Sequence, residues 1–572
     1  MRLSARWLIA GAAIGLALLA PAAASAHAYL TKTVPAASVI LNSSPASVQL
    51  TYDEAVEPRF ALISVTDANA KSQATGPVTR SPSNPDTLLV PIKHVAEGWY
   101  LVYWRAISVD GHPVQGAFTF AVGPNAGPQP EFRIPRIAAT ATSTPLVTAK
   151  WLAFLTVMSA IGLFVLRLLI ARPLISRVPG TDLRSLSIAF YTAAALGLLA
   201  VAAYLEEATA IDSLRSFWDV AGVLPLWRAT AFGRGWVDVE LCFALFGAAA
   251  VAAIRVDRPE RERRSVASLL ALSGALLAAA ATLVLPGAVG HAGQTSPREL
   301  AVPLDWLHLV SGSLWIGGLI GLLVIWRSLP SIQRIAGLGV CVPRFSNVAF
   351  VSVMVLLGTG VGASILHLPV LAALWQTSYG KAILIKALIL VAAMGVAAGN
   401  LLHTKPGLGR PEASDASARL LRRLVSVEVV LVTGAILVAA TLSSLAPPPP
   451  SFAEVGSALA HVGPGKVTST VSRNGYTLQV LVDPNRAAAP NSFALKITRR
   501  GRPVRRANVT LNFAMLDMQM PSQEFQLTET APGIYTRDAP ALVMVGHWGL
   551  SFTITPRGSQ PFTALVVDRA SG

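Results

Sequence analysis

Eight long apolar stretches in the middle of the chain constrain its fold more than any other feature. Each is about 20 residues long, the length that an α-helix needs to cross the hydrocarbon core of a bilayer. Of the 572 residues, 53% are hydrophobic and only 13% are charged, which argues against a soluble enzyme of this size. We therefore predict an all-α bundle of eight transmembrane helices, near residues 148–170, 186–205, 236–254, 266–286, 303–326, 346–366, 382–403 and 421–445.

The distribution of basic residues predicts how this bundle lies in the membrane. Loops on the cytoplasmic side are enriched in Lys and Arg. Alternate loops are basic here, and they carry Arg172, Arg177, Arg184, Arg255, Arg258, Arg261, Arg263, Arg264, Arg327, Arg334, Arg344, Lys405, Arg410, Arg419, Arg422 and Arg423. The other loops carry only Arg215, Arg228, Arg234, Arg298 and Lys381. We therefore predict a multi-pass protein of the bacterial cytoplasmic (inner) membrane, with both soluble ends extracytoplasmic.

A shorter apolar stretch, from Trp7 to Ala20, is typical of a secretory signal. It follows two arginines and leads to the small residues Ala24-Ser25-Ala26, which suit a cleavage site. Removal of residues 1–26 would leave His27 as the first residue of the mature chain. We expect the lipid bilayer to be a partner. The net charge of +16 reflects the membrane topology of the chain. Nucleic acid is not expected as a partner of the extracytoplasmic segments.

Short alternating runs on both sides of the helical region predict two β domains. Residues 27–124 suggest a small Ig-like β-sandwich of Greek-key type. Near the other end, Arg473-Asn474-Gly475-Tyr476 indicates a hairpin turn, and a second small β-sandwich is the simplest interpretation. The predicted order is a signal peptide (1–26), a β-sandwich (27–124), a linker (125–146), a transmembrane domain (147–446), a second linker (447–465) and a β domain (466–572).

A first-residue histidine makes Cu(II) the leading candidate ligand. The free α-amine and the imidazole of His27 form one compact chelate, and both groups are good donors for Cu(II). Asp110-Gly111-His112 adds an imidazole and a carboxylate on one tight turn. Together they complete the tetragonal set that Cu(II) favours, so we predict a metal site at His27, Asp110 and His112.

The N-terminal region closely resembles the CopC family of periplasmic copper-binding proteins. The resemblance lies in the words His27-Ala28-Tyr29-Leu30, Thr51-Tyr52-Asp53-Glu54-Ala55-Val56-Glu57-Pro58 and Ser108-Val109-Asp110-Gly111-His112-Pro113-Val114-Gln115-Gly116. It implies a β-sandwich whose Cu(II) site uses the mature N-terminal histidine and the Asp-Gly-His motif. The second, methionine-rich Cu(I) site of some members is missing, because no methionine lies between Met1 and Met158.

The membrane region resembles the CopD family. The matching words are Gly290-His291-Ala292, Asp305-Trp306-Leu307-His308, Leu314-Trp315-Ile316-Gly317-Gly318-Leu319, Thr377-Ser378-Tyr379-Gly380-Lys381 and Asn400. A chain that joins the two families is similar to YcnJ-like CopC–CopD fusions, which implies copper uptake or copper tolerance.

Three histidines are predicted near the outer side of the bundle, namely His291, His308 and His367. Polar groups inside a membrane are costly and usually functional. We interpret these imidazoles as a site where copper enters the bundle, and the alternative is that they only hydrogen-bond the backbone. The roles of Asp238, Glu240 and Glu428, which lie in or beside the spans, are left open.

The C-terminal region resembles YtkA-like extracytoplasmic domains around Met520-Pro521, Gly533-Ile534-Tyr535 and Gly546-His547-Trp548. Thioether sulfur suits Cu(I), and methionine is also ordinary core material. Both interpretations stay open for the candidate Cu(I) residues, which are Met515, Met518, Met520, Met544 and His547.

The sequence therefore predicts copper binding and transport across the membrane by a transporter or binding protein rather than an enzyme. Copper is the expected ligand, as Cu(II) at the N-terminal site and as Cu(I) elsewhere. A periplasmic copper chaperone or a reductase is the expected protein partner. No P-loop is present.

Two alternatives remain. The first is a haem-containing membrane electron carrier or cupric reductase. Haem binding of this kind needs histidine pairs at equal depth on facing helices. His308 and His367 are the candidate pair, whereas His403 lacks a partner histidine. The second is a copper oxygenase with an N-terminal histidine brace. Such an enzyme needs copper to cycle between oxidation states, and a carboxylate ligand opposes this cycling because the carboxylate stabilises Cu(II).

Overall fold

The computed structural model describes residues 30–37, 39–52, 56–108, 111, 113–127, 130, 132, 143–261, 263–404, 406, 414–445, 447–448, 458–487, 489–516, 523–539, 541–543 and 545–571. These residues divide into two compact units. One unit contains the long helices, and the other contains both β regions.

The N-terminal β region is a sandwich of two sheets. Its described strands are β1 (Leu30–Val34), β2 (Ile40–Leu41), β3 (Ser47–Tyr52), β4 (Leu62–Asp67), β5 (Thr79–Arg80), β6 (Thr87–Pro91), β7 (Gly98–Ile107) and β8 (Pro113–Val122). One sheet has the order β1-β3-β6-β5 and the other β2-β8-β7-β4. Val48, Leu50 and Tyr52 point inward from β3 while the residues between them are partly exposed, as the period of two requires. The predicted sandwich is confirmed.

The C-terminal region is also rich in β-structure, as predicted. Its described strands are β9 (Ala460–Val462), β10 (Val467–Arg473), β11 (Tyr476–Asp483), β12 (Asn491–Arg499), β13 (Arg502–Pro503), β14 (Asn508–Met515), β15 (Gln523–Ala531), β16 (Ile534–Ala539), β17 (Gly546–Thr555) and β18 (Phe562–Ala570). β15 pairs with both β14 and β16, and so joins the two halves of the domain. The hairpin lies where it is predicted, because Arg473 pairs with Tyr476 and both Asn474 and Gly475 have positive φ, as a type I′ turn requires.

Eight helices in the described part of the chain are long and apolar enough to cross a membrane. They are α1 (Thr144–Val165), α2 (Arg184–Asp212), α3 (Ala231–Val256), α4 (Val266–Val289), α5 (Arg298–Ser328), α6 (Ser331–His367), α7 (Ser378–Gly399) and α8 (Ser414–Leu442). α1 packs against α2, α5 and α8. Of the apolar window of α1, 72% is buried, against 11% for α7, so α1 lies near the centre of the bundle and α7 at its edge.

Several helices extend beyond the predicted apolar spans. α6 begins at Ser331 rather than near residue 346, and α8 begins at Ser414 rather than near residue 421. Hydropathy locates the hydrocarbon-spanning part of a helix, whereas backbone hydrogen bonding continues through polar turns outside it. Two π-helical segments, Leu166–Ile170 and Asn400–Thr404, follow α1 and α7, and no sequence pattern predicts them.

The crossing of α1 and α5 is set by two facing glycines. A methyl group on Gly317 would lie only 2.5 Å from the carbonyl carbon of Gly162, and one on Gly162 would lie 2.7 Å from the Cα of Gly317. Both distances are far inside van der Waals contact. Small residues of this kind let two helix backbones approach closely in a membrane, so this pair fixes the position of α5 against the central helix.

We expect Gly317→Ala to lower the free energy of unfolding by about 1–3 kcal/mol, because overpacking must push the two backbones apart. Gly274→Ala is the matched control, since a methyl group there meets no atom within 4 Å. The control should leave stability unchanged or raise it by up to about 1 kcal/mol, because alanine is the better helix former. Unfolding by detergent titration, followed by circular dichroism, measures both. Equal stability of the two variants would contradict the tight crossing.

A buried ion-pair cluster joins the ends of α1 and α3 at the basic end of the bundle. The Asp257 carboxylate lies 3.1 Å from Nε of Arg172 and 3.8 Å from Arg167, and it is almost completely buried. Arg172 also donates to the backbone carbonyl of Arg258. The cluster thus fixes the loop that follows α3 against the loop that follows α1.

Asp257→Asn should lower the free energy of unfolding by about 3–5 kcal/mol, because it leaves buried guanidinium groups without a counter-charge. Asp219→Asn removes a carboxylate from an exposed pair with Arg215 at 2.9 Å, and it should cost less than about 1 kcal/mol. The same detergent titration compares them. A cost for Asp257→Asn no greater than for Asp219→Asn would show that the buried cluster does not stabilise the bundle.

Candidate metal centre and polar clusters of the helical bundle

The predicted Cu(II) ligands His27, Asp110 and His112 lie outside the described residues. The structure does describe the strands that flank them. β7 ends at Ile107 and β8 begins opposite it at Pro113, so in the sequence the Asp-Gly-His motif falls between two paired strands. Gly111 has a φ of 81° and donates its N–H to Ser108 at 2.9 Å. Glycine tolerates this left-handed backbone, which explains its place between the two predicted ligands.

β1, which follows His27 in the sequence, is linked to β7 through the neighbouring strand β3. Leu30, the first described residue, pairs with Tyr52. The ring of Tyr52 makes an edge contact with Trp104, with 5.7 Å between the centroids. Trp104 is buried and belongs to β7. This contact connects the sheet that contains β1 with the strand that precedes the Asp-Gly-His motif in the sequence.

His308 lies at the centre of the first polar cluster of the bundle, which we call the His308 cluster (Asp305, His308, Thr359 and Lys386). Nδ1 of His308 lies 2.8 Å from the Thr359 hydroxyl, and Nε2 lies 3.1 Å from Nζ of Lys386. Thr359 donates its own proton to the carbonyl of Val355 at 2.7 Å. Its oxygen therefore accepts from Nδ1–H of His308, and Nε2 is the acceptor that faces Lys386.

Asp305 completes the charge balance of the His308 cluster. It lies one helical turn before His308 on α5, and its carboxylate is close enough to interact electrostatically with Lys386. A Cβ on Gly287 would collide with this carboxylate, so the glycine leaves room for it. The cluster thus contains a neutral imidazole between a hydroxyl and an ammonium group, with a carboxylate near the ammonium.

His367 forms a second cluster at the end of α6, the His367 cluster (His291, Thr295, His367 and Tyr379). Its Nδ1 donates to the carbonyl of Ala363 at 2.7 Å, and its Nε2 lies 3.1 Å from the hydroxyl of Thr295. Its ring lies 6.2 Å from the ring of Tyr379. His291 is near enough for its charge to affect His367. Both His308 and His367 therefore have Nδ1 fixed by a partner, with Nε2 as the acceptor nitrogen.

The structure does not bring the three predicted histidines into one site. Thr359, which holds His308, lies eight residues before His367 on α6, a distance of about 12 Å along the helix. Among the described residues, no group of three or more His, Cys, Asp or Glu side chains is close enough to hold a metal ion. His291 and His367 are neighbours, and His308 lies deeper with a different set of partners.

A third cluster lies deeper still and contains Glu428, whose role the sequence leaves open. Asn400 and Trp315 both donate hydrogen bonds to the buried Glu428 carboxylate. We call Trp315, Asn400, Thr404 and Glu428 the Glu428 cluster. Trp315 lies seven residues after His308 on α5, about 10 Å further along the helix. Asn400 begins the π-helical segment, and Thr404 donates to its carbonyl at 2.6 Å.

The other acidic and sulfur-containing residues of the bundle show no shared site. Asp238 is exposed and Glu240 is half-buried. Met158 packs against Gly312 in the core, whereas 42% of Met354 is exposed on the surface. His403 is exposed on the π-helical segment.

In the C-terminal domain, Met518, Met520 and Met544 lie outside the described residues. Met515 is buried in the core opposite Trp548, a position that suits packing. His547 lies in β17, and its charge acts on the neighbouring Asp568. Burial raises the pKa of Asp568 to about 6, although a 2.8 Å hydrogen bond from Asn485 favours its charged form.

Asp305, Thr359 and Lys386 are site residues that the sequence motifs do not predict. The sequence does contain a signal for two of them, because Asp305 and Lys386 are charged residues within apolar helices, where charge is rare. Thr359 gives no such signal, since most helical threonines only bond the preceding turn.

Comparison with known proteins supports the predicted domain order. The CopC domain model matches residues 30–123, the model of copper resistance protein D (CopD) matches residues 340–442, and the YtkA-like model matches residues 470–553. The CopD match covers α6 to α8.

Three similar proteins span different parts of the chain. Copper transport protein CutJ of Bacillus subtilis (strain 168) is 25% identical over 537 residues, which is 92% of this chain and 93% of CutJ. Protein YobA of Escherichia coli (strain K12) is 35% identical over 98 residues, or 17% of this chain and 79% of YobA. The crystal structure of CopC from Methylosinus trichosporium OB3b is 31% identical and covers 18% of this chain and 98% of that one, with a TM-score of 0.17.

The domain models and the two sequence relatives agree with the motifs quoted from the sequence. The 35% identity extends over most of YobA, and the CopC domain model matches the N-terminal β-sandwich. The chain therefore belongs to the CopC family of copper transport and resistance proteins, and it carries CopC, CopD and YtkA-like domains in that order.

Proposed function

We propose that this protein binds copper outside the cytoplasmic membrane and transports it across. Cu(II) is captured by His27, Asp110 and His112 and passed to the helical bundle. The observation that carries the proposal is the arrangement of His308, whose Nδ1 is fixed by Thr359 so that Nε2 can act as a ligand. Metal-ligating histidines are generally held in this way through their second nitrogen.

The bundle supports passage because its polar groups lie at successive depths. The His367 cluster lies at the end of α6, the His308 cluster about 12 Å deeper, and the Glu428 cluster about 10 Å beyond that. In an otherwise apolar bundle, such groups replace the water that a cation loses. Copper moves from one cluster to the next, rather than resting in one three-histidine site.

Lys386 gives the His308 cluster a means of control. Its ammonium group lies 3.1 Å from Nε2 of His308, the atom to which a copper ion would bind. Copper therefore displaces Lys386 from His308, and Asp305 balances the positive charge of whichever cation is present. Since Asp305 interacts with Lys386 electrostatically, loss of a proton from Lys386 as copper binds would limit the rise in local positive charge.

The proposed orientation places both soluble domains on the extracytoplasmic side. The support is the alternation of basic and neutral loops, which follows the positive-inside rule. On this side the N-terminal domain can receive copper from a periplasmic chaperone or a reductase. After the partner reductase supplies one electron per Cu(II), the C-terminal domain holds the resulting Cu(I) through Met518, Met520 and Met544, with His547 close by in sequence.

The haem alternative gains no support from the described residues. A bis-histidine haem needs two imidazoles at equal depth on facing helices. His308 and His367 differ in depth by about 12 Å, and both ring nitrogens of each have protein partners. The absorbance spectrum of the purified protein distinguishes the two functions, because bound haem would produce a Soret band.

The N-terminal site is tested by electron paramagnetic resonance of the full chain with less than one equivalent of Cu(II). We expect tight binding with nitrogen hyperfine structure, and both should be weakened when one glycine is inserted between Ala26 and His27, because the α-amine no longer belongs to the chelating residue. His112→Ala should weaken both too. His94→Ala is the matched control, since His94 is an exposed imidazole in the same domain. A spectrum that is indifferent to the insertion would exclude the predicted chelate.

The route through the bundle is tested by copper uptake into proteoliposomes. Thr359→Val keeps the shape of the side chain and removes the acceptor that orients His308. We expect the copper concentration for half-maximal uptake to rise by about 10- to 100-fold, the usual effect of losing a residue that orients a metal ligand. His308→Ala should abolish uptake.

Thr156→Val is the matched control for this experiment. Thr156 also donates to the carbonyl one turn earlier, at 2.6 Å, and has no histidine partner. It should leave uptake unchanged. Uptake by His308→Ala at the rate of the unchanged protein would exclude the route through the His308 cluster, while leaving the N-terminal site standing.

A further inference from the structure

A basic cleft lies at the opposite end of the bundle, between the ends of α5, α6 and α8. Its volume is about 500 Å³. The lining residues are Trp326, Arg327, Arg334, Ile335, Asp415, Ala418, Arg419 and Arg422. Four of them are arginines and one is an acid, so the cleft is strongly positive and suited to an anion.

Most of these arginines have no protein partner that neutralises them. Within the described part of the chain, the guanidinium groups of Arg327, Arg419 and Arg422 form no hydrogen bond and no ion pair. Arg334 is held in place, because it donates to the carbonyls of Trp326 and Leu329 at 3.1 Å each. The cleft thus offers one positioned guanidinium group and three available ones.

Trp326 lines the cleft and indicates its depth in the membrane. The guanidinium groups of Arg334 and Arg422 lie 4.7 Å and 5.8 Å from the centre of its ring. Cations are attracted to the face of a tryptophan ring, so Trp326 brings two arginines from different helices together. Tryptophan also favours the boundary between hydrocarbon and headgroups.

A small apolar depression of about 10 Å³ adjoins the basic cleft. It shares Trp326 and Arg422 with the cleft. Its other lining residues are Leu322, Leu323, Leu338, Leu421 and Val425. The depression is too small for an acyl chain, so only the cleft has room for a ligand group. Because tryptophan favours the level of the headgroups, a phospholipid phosphate reaches the cleft beside Trp326 without leaving the bilayer.

We propose that this cleft binds the phosphate of an anionic phospholipid of the surrounding bilayer. Arginine matches phosphate oxygens through paired hydrogen bonds, and basic pockets between transmembrane helices bind anionic headgroups. The headgroup joins α5, α6 and α8, and these helices also carry His308, Thr359 and Glu428. The proposal does not depend on the direction of copper movement or on copper binding.

The test measures lipid binding to the full chain in neutral detergent by native mass spectrometry. Phosphatidylglycerol is the probe, with phosphatidylcholine and inorganic phosphate in parallel. We expect one phosphatidylglycerol to bind in preference to phosphatidylcholine. The double change Arg419→Gln and Arg422→Gln should weaken this binding by about 30-fold or more, since each lost charged contact costs more than about 1 kcal/mol.

The double change Arg255→Gln and Arg263→Gln is the matched control. It removes the same charge from the same end of the bundle, at exposed residues that line neither cavity, and it should change the affinity severalfold at most. Arg327→Gln, a single exposed change, gives a second weakened variant if the double one folds poorly. Equal binding by the site and control variants, equal binding of phosphatidylcholine, or competition by millimolar inorganic phosphate would each overturn the proposal.

Discussion

Water is absent from the hydrocarbon core of a bilayer, so each polar side chain in this bundle depends on another part of the protein for its hydrogen bonds. The packing of α5 against α6, α7 and α8 follows from that constraint. His308 bonds to residues of α6 and α7, and Trp315 and Asn400 both donate to Glu428 of α8. The apolar faces of these helices allow many arrangements, and the polar pairs select one of them.

The two ends of the bundle use charge in different ways. At the end that carries His367, histidines, an acid and a lysine lie in small balanced groups, and their partners are other side chains. At the opposite end, Asp257 neutralises two buried arginines, whereas the cleft beside Trp326 keeps an excess of positive charge. The first arrangement suits a cation that passes through, and the second suits an anion that stays.

Much of this architecture is predictable from the sequence, for physical reasons that differ between its parts. Hydropathy depends on local composition, so eight spans are found at nearly the right places. The turn Asn474-Gly475 is found because positive φ restricts which residues fit. The partners of His308 are not predictable in this way: Thr359 and Lys386 are distant in sequence, and only the packing of three helices brings them together. The π-helical segment at Asn400 likewise has no local signature.

The contact between Gly162 and Gly317 also limits how this sequence can change over time. Most tight contacts in a protein tolerate drift, because growth of one side chain can be offset by shrinkage of its neighbour. Gly162 and Gly317 have no side chain that could become smaller. A mutation at one position therefore has no compensating mutation at the other, and the two codons are constrained independently.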